Sequence, residues 1–279
     1  WNNMHVDHIQ ITNHEMLGVG DRTLFYESTG ALRDMIQSHL LQMMALTTME
    51  QPKSFSPNDI RDEKIKLLNA IKPFGKNDFN NHTYRAQYAA GEIKGEGGVE
   101  GYLNEVGNQD SITETYAAVK IFNDTPRWKG VPIYLRTAKR LKESGTNISI
   151  KFKNGGSLIG DNNNWIIFNI QPKESTSIEI TTKTPSLNEN LLRSTNLEGF
   201  NRVDGDESID AYETLMLDLM NGNQSRFLHI DEVTAQWKFV DPIIDYWTKN
   251  KVKLNQYKSG DSDPESSKII FDDPSQFWR

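Results

Sequence analysis

Five segments in the middle third of the chain carry the residue types of β-strands, and short connections join most of them. Ile148, Ile150 and Phe152 alternate with polar residues, as expected of a strand with one buried face. The predicted strands are Ile112–Phe122, Val131–Thr137, Asn147–Phe152, Trp165–Gln171 and Thr176–Thr182, with Asn154-Gly155-Gly156 as a hairpin turn and Val6–Thr12 as an earlier strand. Because short turns join antiparallel neighbours, we expect a large, mostly antiparallel sheet.

Segments with a helical period flank these strands. Leu32, Ile36 and Leu40 recur every four residues in Ala31–Glu50 and predict one long helix, with Ser28-Thr29 as its N-cap. Further helices are predicted from Ser56-Pro57 to Lys72, from about Ser208 to Met220, and from Asp231 as N-cap to Lys249, with loops over Lys183–Asn201 and from Gly260 onward. Helices on both sides of a block of strands indicate an α+β fold, with helices packed mainly on one face of the sheet, in a single domain over residues 1–279.

The composition excludes several classes of protein. The 279 residues include 31 Lys and Arg against 38 Asp and Glu, a net charge of −7, so the chain lacks the basic footprint of a nucleic-acid-binding domain. It contains no cysteine, which excludes disulfides, thiolate nucleophiles and cysteine-ligated metals. No apolar run approaches the roughly 20 residues that span a bilayer. We therefore expect a cytoplasmic protein with no nucleic-acid or membrane partner.

The first residues, Trp1 to His5, have neither an initiator methionine nor the pattern of a signal peptide, so we expect the chain to begin inside a longer gene product. No strand is followed by a Gly-x-Gly-x-x-Gly turn, and there is no Walker loop, so the residues themselves predict no nucleotide site. His5 and His8 would point to opposite faces of an extended strand, so their spacing predicts no metal site.

A few polar side chains could carry chemistry. His39 could accept a proton near pH 7, although an apolar helix face more often buries a histidine in the core. Glu15 and Asp34 could accept hydrogen bonds from sugar hydroxyls, or could simply end a strand and decorate a helix. The cations of Arg136–Lys142 could hold a phosphate, or could lie in a solvated turn. The residue types alone leave these alternatives open.

One segment, Gly30–Met43, reads Gly-Ala-Leu-Arg-Asp-Met-Ile-Gln-Ser-His-Leu-Leu-Gln-Met and resembles the helix that carries the active-site histidine of the glucose-6-phosphate dehydrogenase family. Other blocks resemble that family in the same order along nearly the whole chain. They include Trp1-Asn2, Ile9–Thr12, Arg61–Lys64, Ser111–Thr115, Trp128–Pro132, Tyr134–Thr137, Ile170–Pro172, Asp210–Glu213, Asp231-Glu232 and Trp237. The resemblance is to the C-terminal part of the family's proteins, because the family's coenzyme domain precedes the matched region.

The resemblance implies roles for particular side chains. His39 would be the general base that takes the proton of the sugar C1 hydroxyl while hydride leaves C1 for a nicotinamide. Glu15 and Asp34 would bind sugar hydroxyls, and Lys139 would contact the phosphate or neighbouring oxygens, with Gln171 beside it. The implied reaction is the oxidation of glucose 6-phosphate to 6-phosphogluconolactone in the pentose phosphate pathway, with NADP as coenzyme and no metal. NAD in place of NADP stays open, because the residues that select the coenzyme precede the matched region.

The sequence also departs from the family. Arg136 matches a position that contacts a second, structural NADP in some members, whereas Asn169 stands where some of them carry an arginine. Ser38 and Ala138 replace the asparagine and the glycine that usually precede the histidine and the lysine.

The resemblance further implies a homodimer or tetramer formed through the sheet. We expect the 279 residues alone to be inactive, and the alternative function is an oligomerisation, scaffold or sugar-phosphate-binding module without catalysis.

Overall fold

The computed structural model describes residues 1–154, 163–185, 192–200, 211–250, 252 and 254–279. The strands are β1 (Val6–His14), β2 (Thr83–Ala89), β3 (Gly91–Ile93), β4 (Gly97–Val99), β5 (Tyr116–Ile121), β6 (Ile133–Ala138), β7 (Gly145–Phe152), β8 (Trp165–Gln171), β9 (Ser175–Lys183), β10 (Leu192–Phe200) and β11 (Asn255–Lys258). The helices are α1 (Thr23–Ala31), a π-helix (Leu32–Leu40), α2 (Leu41–Thr48), α3 (Pro57–Asn69), α4 (Asp78–His82), α5 (Tyr102–Glu105), α6 (Ala211–Met220) and α7 (Ile230–Lys249), with 3-10 turns at Gly20–Arg22 and Glu265–Ile270.

Within the described residues, one nine-stranded sheet runs in the order β10-β9-β8-β7-β1-β6-β5-β2-β11, and β3 and β4 form a separate ribbon. The pairs β1–β6 and β2–β11 are parallel, and the other neighbours are antiparallel. The predicted α+β class, with a large and mostly antiparallel sheet, is confirmed. The parallel pair at the centre brings together the ends of two strands that are far apart in the chain.

The two faces of the sheet bury different kinds of side chain. Because successive strand residues point to opposite faces, Ile133 and Leu135 of β6 face one core and Tyr134 faces the other. The first core is aliphatic, and the longer helices cover it with Leu32, Ile36, Leu40, Leu67, Val240 and Ile243. The second contains the tyrosine cluster, which we define as Tyr26, Tyr84, Tyr88, Tyr102, Tyr116, Tyr134 and Tyr257. No helix among the described residues is long and apolar enough to cross a membrane.

Several local predictions are wrong. Residues 192–200 were expected to be a loop but form β10, because its backbone pairs along the whole length of β9. β2 was missed, since its polar residues Arg85 and Gln87 are buried by contacts with distant parts of the chain.

Two helix starts also differ from the predictions. Ser28 and Thr29 do not cap a helix but lie inside α1, with both hydroxyls donating to the Phe25 carbonyl. The N-cap of α7 is His229, which forms a capping box with Glu232, and not Asp231. The turn residues Gly155-Gly156 and the helix start at Ser208 lie outside the described residues.

A buried ion pair joins the helices over the first core. Lys64 Nζ of α3 lies 2.7 Å from Glu232 Oε2 of α7, with side-chain exposures of 5% and 0%. The Gln42 amide of α2 donates to the same carboxylate at 3.0 Å, and the His229 backbone N–H donates to its other oxygen at 3.3 Å. These contacts fix the register of three helices where apolar packing alone would allow sliding.

Replacing Lys64 by methionine should leave the Glu232 carboxylate buried without its counter-charge. We expect the free energy of unfolding to fall by about 3–5 kcal/mol, the usual cost of breaking a buried pair on one side. The measurement is urea denaturation of the 279-residue chain. Lys66→Met is the matched control, because Lys66 lies on the same helix in an exposed pair with Glu63; an equally large loss in that variant would contradict the prediction.

Candidate functional site

The centre of the candidate site is an ion pair at the ends of the two parallel strands β1 and β6. The register pairs His14 with Ala138, so Glu15 and Lys139 leave the sheet side by side. The Glu15 N–H donates to the Ala138 carbonyl at 2.9 Å, and the Leu141 N–H donates to the Glu15 carbonyl at 3.0 Å. Beyond the strands, the Lys139 ammonium contacts the Glu15 carboxylate; the Lys139 side chain is 9% exposed and that of Glu15 36%. The pair is therefore fixed on the protein side and open to solvent on the other.

A π-helix carries the next two candidate residues, Asp34 and His39. The Leu41 N–H donates to the Ile36 carbonyl five positions back, which widens each turn. Residues five apart therefore point in more similar directions than in an α-helix, where they would diverge by about 140°. Asp34 and His39 are five residues apart, so the wider turn brings them closer to one side of the helix. The sequence predicted an ordinary helix here, and the π-helix is what aligns the two side chains.

Their surroundings differ in exposure. His39 is exposed, so the reading of a histidine buried in the apolar core is wrong. Asp34 is largely buried, and its two carboxylate oxygens accept from Arg22 Nη2 at 3.1 and 3.3 Å. Arg22 is half exposed. The π-helix packs against β1 and β6, the two strands whose ends lead into Glu15 and Lys139.

Glu114 and Gly30 determine where the π-helix begins. Gly30 has φ 70° and ψ 170°, a conformation open essentially to glycine alone. It interrupts the helical backbone with a kink ahead of the π-helix. The Ala31 N–H then donates to the Glu114 carbonyl, and the Leu32 N–H donates to Glu114 Oε1, both at 3.0 Å. A Cβ on Gly30 would lie 2.5 Å from that oxygen. Glu114 thus caps the helix from a distant segment, and glycine leaves room for its carboxylate.

Burial raises the pKa of Glu114, while the Leu32 N–H and the charges of Arg85 and Arg33 oppose that shift. Sequence reasoning missed Glu114, because its partner Leu32 is 82 residues away and no local pattern distinguishes it. Sequence reasoning also missed Arg22 as a site residue, because its role follows only from its contact with Asp34.

Gln171 and Arg136, both singled out from the sequence, lie apart from the Glu15–Lys139 pair. Gln171 is exposed at the end of β8, where it pairs with Thr146 of β7, and Thr146 in turn pairs with Asn13 of β1. Gln171 therefore lies two strand spacings, about 10 Å, from Asn13. Arg136 is 2% exposed and turns to the face of the tyrosine cluster. There it contacts Asp263, donates to the Arg279 carbonyl at 3.0 Å, and lies 4.9 Å from the Trp278 ring centroid.

His8 has protein partners and lies away from the candidate site. Its Nδ1 lies 2.6 Å from Asp7 Oδ1, and its Nε2 lies 3.2 Å from the Gln10 amide. Burial lowers the pKa of His8, with the Asp7 carboxylate opposing that shift. In the part of the chain that the structure describes, no three His, Asp or Glu side chains form a group suited to a metal ion.

Comparisons with known proteins converge on one family. Residues 1–279 match the sequence model of the family described as "Glucose-6-phosphate dehydrogenase, C-terminal domain". Glucose-6-phosphate 1-dehydrogenases of Gluconobacter oxydans and Buchnera aphidicola are 38% identical over 282 residues and 40% identical over 288 residues. A solved glucose-6-phosphate dehydrogenase in complex with its substrate glucose-6-phosphate has a TM-score of 0.87 at 31% identity and covers 100% of the chain. The enzyme of Mycobacterium avium has a TM-score of 0.80 at 28% identity and covers 97% of it.

The match is to part of each relative. This chain is covered over 100% of its length by the two bacterial proteins but spans 57% and 59% of theirs. It spans 57% and 55% of the two solved chains. The sequence resemblance described above, and its restriction to the C-terminal part, are therefore confirmed.

Substituting Gly30 by alanine should destabilise the chain by about 3 kcal/mol or more, because both the backbone strain and the displaced Glu114 carboxylate contribute. Gly20→Ala is the matched control: Gly20 also has a positive φ, 53°, but a Cβ there meets nothing within 4 Å. We expect the control to lose about 1–2 kcal/mol. Urea denaturation of both variants measures the difference in the free energy of unfolding. Equal losses would show that the Glu114 carboxylate moves aside without destabilising the chain.

Proposed function

The chain belongs to the family of glucose-6-phosphate dehydrogenase C-terminal domains, and we propose that it supplies the general base and part of the sugar-phosphate site of such an enzyme. The proposed reaction is the oxidation of glucose 6-phosphate at C1 to 6-phosphogluconolactone, a step of the pentose phosphate pathway. The observation that carries the proposal is the Lys139–Glu15 pair at the ends of β1 and β6, the strands against which the π-helix with Asp34 and His39 packs.

His39 is the proposed acceptor of the proton that the substrate loses. A neutral imidazole can accept the proton of the C1 hydroxyl as hydride leaves C1. The exposure of His39 allows a substrate to reach it. Asp34 lies one π-turn before His39, and its carboxylate can accept from a sugar hydroxyl next to the reacting carbon. Arg22, which bonds both oxygens of Asp34, then orients that carboxylate.

Lys139 is the proposed anchor for the phosphate or for neighbouring sugar oxygens. An ammonium has three donors, and the contact with Glu15 uses one of them, so two stay available to a ligand. Because the Lys139 side chain is mostly buried, its charge acts through surroundings of low dielectric constant and is worth more than on an open surface. Glu15, which is partly exposed, can accept from a sugar hydroxyl while it holds the lysine. Gln171 would have to contact a more distant part of the ligand.

The proposed hydride acceptor is NADP. No glycine-rich turn between a parallel strand and a helix occurs among the described residues, and the parallel pairs there are β1–β6 and β2–β11. The roles derived for this chain therefore concern the substrate and the proton. Hydride transfer needs the acceptor within near-attack distance of C1, so we expect no dehydrogenase turnover from the 279 residues alone. A cytoplasmic location, which the lack of cysteine favours, belongs to the same proposal.

We also propose that the chain associates with a second copy through its sheet. Where the helices do not cover the sheet, β8, β9 and β10 carry an apolar strip made of the exposed Ile170, Ile178, Ile180 and Leu197 and the half-buried Ile166. Strand alternation and register place these side chains on one face. An apolar strip of this kind, at the rim of a covered sheet, is typical of an interface. This proposal is compatible with the enzymatic one.

Glucose 6-phosphate should bind to the isolated chain with weak but saturable heat in calorimetric titration. Lys139→Met should weaken that affinity about ten- to a hundredfold, the effect of losing a charge-assisted contact. Lys129→Met is the control, because Lys129 is exposed and lies near the opposite end of β6. His39→Asn should alter the binding heat with a smaller loss of affinity.

Two outcomes would contradict the proposed site. The first is equal binding by the native chain and Lys139→Met, which would remove Lys139 from the site. The second is turnover of glucose 6-phosphate and NADP by the 279 residues that survives in His39→Asn, which would remove the general base.

Sedimentation equilibrium should show a dimer or tetramer of the chain that Leu197→Lys converts to monomer, because a buried ammonium has no partner in an apolar interface. Asn196→Lys is the matched control, since Asn196 is the neighbouring exposed residue on the opposite face of β10. A native chain that stays monomeric at high concentration would exclude this interface.

A further inference from the structure

The ammonium of Lys139 has a second neighbour besides Glu15. Its Nζ lies 5.4 Å from the centroid of the Tyr26 ring. Tyr26 is 1% exposed, so this contact is shielded from water. Burial raises the pKa of Tyr26 far above its usual range, so its phenol stays neutral and attracts the cation through the face of the ring, not as a phenolate. The ring is therefore a second contact, besides Glu15, that restricts where the ammonium lies.

The backbone of Lys139 is also held on both sides. The Lys139 N–H donates to the Thr115 carbonyl at 3.0 Å. The Tyr257 hydroxyl donates to the Lys139 carbonyl at 2.6 Å, and the Thr115 hydroxyl lies 2.9 Å from the same phenol oxygen. Tyr257 comes from β11 at the edge of the sheet, 118 residues away in sequence. Lys139 directly follows Ala138, the last residue of β6, and so lies beyond the hydrogen bonds of that strand. The bonds to Thr115 and Tyr257 hold its backbone instead.

Edge-to-face ring contacts link Tyr26 and Tyr257 into one cluster. Tyr26 meets Tyr102 at 6.2 Å between centroids, Tyr102 meets Tyr88 at 5.5 Å, and Tyr88 meets Tyr257 at 6.4 Å. The hydroxyls of Tyr102 and Tyr88 donate at 2.7 Å to Glu27 and Glu105. The rings of Tyr102 and Tyr88 are thereby held by neighbouring rings and by a hydrogen bond of each hydroxyl, and Tyr26 is held by its contact with Tyr102.

We propose that Tyr26 and Tyr257 are positioning residues for Lys139, Tyr26 through the face of its ring and Tyr257 through its hydroxyl. The inference rests on the proposed function, because it assigns Lys139 to the ligand. It explains why a flexible lysine presents its charge in one place: the ammonium contacts both a carboxylate and a ring, and hydrogen bonds hold the main chain of Lys139.

The two tyrosines should respond in opposite ways to the same substitution. Tyr26→Phe keeps the ring and should leave the affinity for glucose 6-phosphate within about twofold, whereas Tyr26→Leu should weaken it about three- to tenfold. Tyr257→Phe removes the hydroxyl and should weaken binding by a similar factor. Tyr84→Phe is the control, since Tyr84 belongs to the same cluster but its hydroxyl pairs with Ser266.

A signal that needs no ligand tests the same contact. In the chain labelled with ¹³C at lysine Cε, the Lys139 resonance, assigned by its absence in Lys139→Met, should be shifted upfield by the Tyr26 ring current. The shift should persist in Tyr26→Phe and disappear in Tyr26→Leu. The native spectrum alone already decides one point: a Lys139 resonance among those of exposed lysines would overturn the inference, even if Tyr26→Leu does not fold.

The binding results separate this inference from the proposed function. Native affinity in folded Tyr26→Leu, or equal losses in Tyr26→Phe and Tyr26→Leu, would overturn the role of the ring. Native affinity in Tyr257→Phe would overturn the role of that hydroxyl. If Lys139→Met binds as the native chain does, the proposed substrate site fails, while the ring-current shift still decides whether Tyr26 positions Lys139.

Discussion

The parallel pairing of β1 and β6 is the constraint on which the rest of the site depends. Antiparallel neighbours point their carboxyl ends in opposite directions, and only a parallel pair brings two such ends to one edge. In this chain the pair places Glu15 beside Lys139 although 124 residues separate them. The helices over one face and the tyrosine cluster on the other meet at this edge, so both cores contribute to the geometry of a single ion pair.

The π-helix depends on a second long-range contact. Glu114, from a segment ahead of β5, accepts from the N–H groups of the N-cap Ala31 and of Leu32, the first residue of the helix, and Gly30 leaves space for its carboxylate. A carboxylate at a helix N-terminus is favoured by the helix dipole, and burial strengthens its hydrogen bonds. Asp34 and His39 are thereby fixed relative to the sheet from the start of their helix. At the far side, Gln37 bonds Gln236 of α7 and Gln42 bonds Glu232, which holds the same segment against the helical layer.

The sequence predicted what local patterns determine. The four-residue recurrence of Leu32, Ile36 and Leu40 correctly indicated a helix over the core, and the alternation in β7 correctly indicated a half-buried strand. It missed β2 and β10, because polar strands are formed by ladder bonds to neighbours that no local pattern reveals.

The candidate site divides in the same way. His39, Asp34, Glu15 and Lys139 were found through resemblance of short blocks, and their roles stay predictions. Glu114, Tyr26 and Tyr257 were not found, since each acts through a partner elsewhere in the chain. The widened turn of the π-helix was equally hidden, because it depends on how both ends are anchored and not on helix propensity.

The π-helix also limits how this segment can change in evolution. A π-turn differs from an α-turn by one residue, so a single-residue deletion between Gly30 and His39 would convert it into a regular and more stable helix. If the deleted residue lies between Asp34 and His39, the two become four residues apart and differ by about 40° around a regular helix, whereas a deletion before Asp34 leaves them five apart and about 140° from each other. The place of the deletion therefore decides whether Asp34 and His39 stay on one side of the helix, and a change in length between them is tolerated better than one before them.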